Sequence, residues 1–370
     1  MKLTWNEVCA RRLARHHLTD PCDLPVADVV RNLASTHAQV MSAAELGLGL
    51  RVRGATRQTV RDALWRDRTL VKTYGPRGTV HLLPAEDLPV WLGALEAVPN
   101  TVSWPPILRM TPEQEDAIIE AIRDALEDAE LTIDELDDEV VGRTGPYAGE
   151  RVMDAFQTKW PRWRRLMHTA AHRGALSFGA GRGRKVTYTS PRAQAAPARE
   201  SLEQVALWYL NAYGPATPER FAHFMSGPRP WAREIFSRLD LTEVEVEGER
   251  AFVAAGDTGV PVEPARGVRL LPYFDHYSYV VGNFPRELLY PGPAFERVRG
   301  NFQTLVVDGV VAGLWHHKRS GKRLDVTVEA LTPLDRRQLA ELEEQVLRVG
   351  EILEAAPSLT LGKVTSGSHA

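Results

Sequence analysis

Twice in this chain a run of helix-forming segments ends in two β-rich stretches joined at glycine, and that order restricts the fold more than any other feature. The first run opens at Leu131, where Thr132 is an N-cap with Glu135 at the capping-box position. Residues 142–149 read as a loop. Residues 159–173 are expected as a helix, with Trp160 and Trp163 in the core and Lys159, Arg162, Arg164 and Arg165 on an outer face. Residues 174–189 read as strand, glycine-rich turn and strand. A Pro- and Ala-rich linker, 190–198, separates the second run. There, 202–213, 218–225 and 230–239 read as helices, with Thr217 as a cap and Pro218 at the first helical position. Residues 241–253 alternate like two strands around Gly248. Helices followed by such a hairpin make a winged helix, so the chain is expected to carry tandem winged-helix units.

The flanks complete an α+β, mainly α, reading. Residues 6–16, 25–34 and 59–66 show helical apolar spacing. Tyr74 to Pro84 reads as a turn into a short strand, followed by helix from Ala85. Thr111-Pro-Glu-Gln-Glu starts a strong helix. Beyond 266 the signals are β. Asp308-Gly309 is a hairpin turn between valine pairs, and 310–315 is the return strand. His316, His317, Lys318, Arg319, Lys322 and Arg323 are expected at a basic tip, and 333–354 is a last helix. The expected units are 1–130, 131–190, 200–265 and a C-terminal antiparallel β region, 266–370.

Charge placement bears on partners more than the net charge of −3 does. Residues 111–139 hold 13 acids and one base, whereas 142–199 hold 12 bases and two acids, and 51–77 hold eight bases and two acids. Such segregation can leave a positive face for a polyanion. Two basic segments beside wing-like and site-like features favour nucleic acid over merely solvated helix faces. Arginine outnumbers lysine 38 to 7, which a GC-rich genome explains without phosphate binding. Two cysteines, Cys9 and Cys22, suit a reducing cytoplasm and match no zinc module. No apolar run approaches a membrane span, and the first residues have no apolar signal core. The expected location is the cytoplasm, with the nucleoid.

The candidate site is His37-Ala38-Gln39. In a helix the two polar side chains would diverge by about 200°. In an extended segment they point the same way, so a site using both requires the preceding helix to end near Thr36. The triplet resembles the catalytic motif of the AlkZ/YcaQ-like DNA glycosylases, a bacterial family in which Gln-apolar-Gln or Gln-apolar-Asp is usual; here the first position is His. Arg77-Gly-Thr-Val-His-Leu-Leu-Pro-Ala-Glu-Asp87 resembles the family's first-domain signature. Leu270-Leu-Pro-Tyr-Phe-Asp-His-Tyr277, with Arg286 downstream, resembles its strand-plus-aspartate segment. The resemblance runs along nearly the whole chain. It implies tandem winged helices around a concave DNA-binding surface. It further implies monofunctional removal of bulky N7-alkylated purines or crosslinks made by DNA-alkylating natural products, in repair or self-resistance.

The residues suit that chemistry. Gln39 can accept a hydrogen bond from a water through its amide oxygen, and neutral His37 through a ring nitrogen, with a reference pKa of about 6.5. The bland alternative is that both cap the helix or bind a loop. Duplex DNA carrying alkylated purines is the expected partner of a monomer, with no cofactor and no metal. Arg182, Arg184 and Lys185 on the first wing, Arg51, Arg77 and the tip are the expected DNA contacts. Gly179-Ala-Gly-Arg-Gly lacks a following helix, so it is not a dinucleotide loop. His168 and His172 lack the Glu of a zinc-protease helix. Asp275 is expected to pair structurally with Arg286 rather than to help the site electrostatically, the other role open to it. A winged-helix regulator without catalysis is the other reading; it needs a dimerisation device, for which the last helix is available.

Overall fold

Capping chemistry sets where the first helix begins, and one left-handed residue sets where the second stops. In the computed structural model, which describes residues 1–155, 158–279, 284–298 and 302–365, β1 (Lys2–Leu3) leads into α1 (Trp5–Arg15). Thr4 caps α1 while Glu7 reaches back to the Thr4 amide, so two orphan donors are satisfied. α2 (Val26–Asn32), β2 (Thr36–His37), α3 (Met41–Gly49) and α4 (Arg57–Trp65) follow. β3 (Leu70–Tyr74) and β4 (Val80–Pro84) make a hairpin before α5 (Leu88–Glu96). Ala34 has φ 62°, a conformation that L-residues avoid and a helix cannot contain. The chain therefore leaves α2 extended. The sheet order is β2-β4-β3, with Thr36 opposite Leu82 and His37 opposite His81.

The next region holds α6 (Pro112–Leu126), β5 (Glu130–Thr132), α7 (Ile133–Thr144), α8 (Pro146–Gly149), β6 (Arg151–Ala155), β7 (Thr158–Pro161), α9 (Met167–His172), β8 (Ser177–Phe178) and β9 (Thr187–Thr189). The capping boxes at Thr111 and Thr132 are both formed. The expected helix over 159–173 is not. Pro161 lacks an amide donor and disfavours helical backbone at Trp160, so Lys159 and Trp160 pair with β6 instead. A 3-10 turn, Arg162–Leu166, precedes α9. Trp163 is fully buried, but Trp160 is 44% exposed rather than core.

The acidic and basic segments also find each other. Arg164 and Arg165 pair with Asp137 and Glu115, and Arg143 and Arg173 with Glu139 and Asp116. Arg182, Lys185 and Arg192 pair with Glu135, Asp134 and Asp128. Segregation along the chain thus becomes neutralisation in space, and most of the positive charge expected in this region is spent internally.

α10 (Ala198–Tyr213), α11 (Pro218–Met225), α12 (Arg229–Arg238), β10 (Leu241–Val246) and β11 (Glu249–Ala254) follow in the expected order, with the turn at Gly248. α10 packs on α5 at Gly93, where an added Cβ would lie 2.3 Å from the Ala196 carbonyl oxygen. β1 adds to β10 in parallel, Lys2 opposite Glu245.

The last region comprises β12 (Val268–Leu271), α13 (His276–Tyr279), α14 (Arg286–Leu289), α15 (Pro293–Arg297), β13 (Gln303–Val307), β14 (Val310–Ser320), β15 (Arg323–Ala330), α16 (Arg336–Leu353) and β16 (Ala356–Leu361). The sheet runs β12-β13-β14-β15-β16, antiparallel until β16 joins β15 in parallel. The expected all-antiparallel region is therefore mixed, because α16 acts as the crossover that a parallel pair needs. Leu342, Val346, Val349 and Ile352 bury the apolar face of α16 against this sheet and α3, so the face considered for dimerisation is already covered. One apolar core joins α1, β10, β11 and this sheet, so the N-terminal helix packs with the far end of the chain. Among the described residues no helix is long and apolar enough to cross a membrane.

Candidate active site

The triplet lies on the edge strand β2 and just after it. The Ala38 amide donates to the Val80 carbonyl at 2.7 Å, and Ala38 is wholly buried. In extended backbone that turns residues 37 and 39 to the opposite side. His37 is 7% exposed, its ring 4.7 Å from Phe274 and 5.3 Å from His81, edge to face with the latter. Gln39 is exposed, and its Oε1 accepts a long 3.4 Å bond from the Val80 amide, so it can be turned to another donor at little cost. Burial, and then the positive charge of Arg77, push the His37 pKa down to about 4. Its ring is neutral well below the expected 6.5, which keeps a lone pair for a water at neutral and mildly acid pH.

Two buried polar assemblies lie near this strand, and the second bonds to it. Asp275 does not pair with Arg286. It accepts two 2.8 Å bonds from Arg51, whose guanidinium also donates to the Gly47 carbonyl on α3. Arg51 is 1% exposed, so it is no phosphate contact; the carboxylate claims its charge. Arg286 instead donates to the Phe295 and Val298 carbonyls. The second assembly runs from Tyr213, the last residue of α10, through His276 to the His37 amide. Nothing in the sequence marked Tyr213. His276 lies within the Leu270–Tyr277 segment, but its partner is 239 residues distant.

Beside the triplet is a pocket of about 150 Å³ lined by Val40, Ser42, Ala43, Leu46, Tyr273, Gln303, His316 and His317. β14 continues to Ser320 and its turn has Gly321 at φ 60°. His316 and His317 are accordingly half-buried strand residues facing the pocket, not part of the tip; cross-strand pairing with Thr327 and Val326 extends the strand past Trp315. Lys318, Arg319, Lys322 and Arg323 do sit at the exposed end, and none pairs with a carboxylate among the described residues. Arg77 turns inward, donating to the Phe224 carbonyl with its guanidinium 5.9 Å from that ring. Arg184 is exposed in the turn between β8 and β9, whereas Arg182 and Lys185 beside it are ion-paired. Among the described residues no group of three His, Cys, Asp or Glu side chains could hold a metal ion.

A family described as "DNA glycosylase AlkZ-like" matches residues 30–352. An interstrand DNA cross-link repair glycosylase of Streptomyces sahachiroi is 35% identical over 338 residues, 85% of this chain and 88% of the relative. The solved structure of the Streptomyces sahachiroi DNA glycosylase AlkZ superposes with a TM-score of 0.80 at 29% identity, covering 98% of this chain and 100% of that one.

Proposed function

Because the chain belongs to the AlkZ-like DNA glycosylase family, we propose that it hydrolyses the N-glycosidic bond of bulky N7-alkylguanine in duplex DNA, monofunctionally, as a monomer of the nucleoid-containing cytoplasm. The observation that carries this reading is a neutral, shielded His37 beside an adaptable Gln39, next to a pocket. N7-alkylation gives guanine a positive charge, so the base departs neutral and needs little acid catalysis. The demand that remains is a water held at C1′ as the sugar becomes oxocarbenium-like. Gln39 Oε1 orients that water. His37, neutral because of its burial, accepts a second hydrogen bond from that water through a ring nitrogen, and the proton passes to solvent once the C1′–O bond has formed. The helix–hairpin units are read as tandem winged helices around a concave DNA surface, bounded as 1–130, 131–190, 200–265 and 266–370. On it the tip bases and Arg184 neutralise phosphates, while His316 and His317 face the lesion. The name of the Streptomyces sahachiroi relative supports including crosslinks among the substrates, and protection of a producer from its own alkylating product is the role that fits.

The test is incubation with a duplex carrying N7-guanine adducts of a nitrogen mustard, followed by alkali. Strand cleavage at adducted guanines, absent from unmodified duplex, is expected. Tight binding with no alkali-labile site would make the chain a DNA-binding protein without this activity.

A further inference from the structure

β2 is an edge strand, and its pairing leaves a problem. The Ala38 amide faces β4, so the His37 amide points away from the sheet. Buried there without an acceptor it would be costly. Its acceptor is His276 Nε2, at 2.8 Å. An imidazole nitrogen accepts only when it carries no proton, so the His276 proton must sit on Nδ1. Tyr213 enforces this. Its hydroxyl donates to the Leu33 carbonyl at 3.0 Å, so toward Nδ1, 2.6 Å away, it can only accept. The chain of bonds has one consistent direction, from the His37 amide to Nε2, and from Nδ1 through the Tyr213 oxygen to Leu33. It joins the last residue of α10, the first residue of α13 and the strand bearing the triplet. Tyr213 is 1% and His276 5% exposed, so water does not compete.

We propose that His276 is a positioning residue for base excision, with Tyr213 fixing its tautomer, and that together they pin the main chain from which His37 and Gln39 project. The inference rests on the reading that those two side chains deliver the water. Leu33 lies before the triplet and His37 within it, so the same pair holds the segment at both ends. A slack strand would move both water ligands together. The reacting geometry tolerates little displacement.

Single-turnover excision on the mustard-adducted duplex tests it, with DNA affinity and melting temperature measured on every variant. His276→Leu leaves the amide unpaired and is expected to slow excision at least about tenfold, at a DNA affinity within about twofold of wild type. His276→Gln offers a carbonyl near the Nε2 position and is expected to recover most of the rate. Tyr213→Phe is expected to slow the native protein, yet to change nothing further in the His276→Gln background, because an amide has no tautomer to lock. Imidazole ¹⁵N shifts of the full chain should show His276 protonated on Nδ1 and bare on Nε2, a readout that packing alone does not set. The proposal is overturned by a proton on Nε2, by wild-type excision in a folded His276→Leu, or by equal slowing in the Leu and Gln variants. Should His276→Leu fail to fold, the Gln and Phe variants and the ¹⁵N shifts decide alone. Wild-type excision by Gln39→Ala would remove the underlying reading instead; the ¹⁵N result would then still report the bond.

Discussion

Excision should stay near its plateau far below the pKa of an ordinary histidine. His37 is neutral down to about pH 4, held there chiefly by its burial and secondarily by Arg77; His81 and His276 pack against it and are themselves held neutral by burial. At pH 5 a group of pKa about 4 is about nine-tenths neutral, whereas one of pKa 6.5 is about 3% neutral. The two cases differ about thirtyfold in rate at one pH. Folding sets the lower limit of the window. Above pH 6.5 the ring is neutral in both states and contributes nothing. As pH falls from 6.5 to about 4 the unfolded chain takes up a proton that the folded one refuses, so stability declines, by about 3 kcal/mol in all for His37, and levels off below. His172, with its pKa pushed down to about 4 by burial, adds a loss of the same sign. The assay is therefore single-turnover excision from pH 4.5 to 8, with circular dichroism at each pH and His37→Gln in parallel. Wild type should keep most of its pH 7 rate at pH 5 while folded, and His37→Gln should lose less stability on acidification. A rate that bends near pH 6.5 in folded protein would refute the argument that burial governs this ring.

Three further outcomes follow from the packing. Asp275→Asn leaves the Arg51 guanidinium buried without its carboxylate and should lower unfolding free energy by about 3–5 kcal/mol in urea melts, while the Arg51→Met, Asp275→Leu pair should recover most of it. Replacing Lys318, Arg319, Lys322 and Arg323 together by alanine should weaken DNA binding and lower the log–log salt slope by about 0.9 for each phosphate no longer neutralised; an unchanged slope would mean that the tip points away from DNA. Gly93→Ala drives a methyl into the Ala196 carbonyl between α5 and α10 and should cost about 1–3 kcal/mol by thermal melting.

Local signals were readable where the deciding interaction is local. The helix start at Thr111, the capping box at Thr132, the Gly248 turn and the Asp308-Gly309 hairpin all formed, because each is written within a few residues. The 159–173 helix failed on a local signal given too little weight, Pro161. Other misses are long-range. Whether Arg51 meets phosphate or Asp275 depends on a partner 224 residues away, and the basic run 142–199 meets its acids only after α6 and α7 fold beside it. The triplet was visible as a pattern, and the end of α2 before it could be required on geometric grounds. The bond from Tyr213 through His276 could not be read, since it joins three distant segments. The lowered His37 pKa could not be read either, because burial belongs to the fold and not to the triplet.

The central claim is that Gln39 and His37 deliver water to the sugar, and single-turnover excision by Gln39→Ala measures it most directly. Gln39 is exposed, and its bond to the Val80 amide is a long one, so its loss should leave folding and DNA affinity intact. Base release should then fall by about 100-fold or more, with His37→Ala slower than both wild type and His37→Gln. Equal excision by wild type, Gln39→Ala and His37→Ala on the same adducted duplex would contradict the account and place the chemistry elsewhere in the chain.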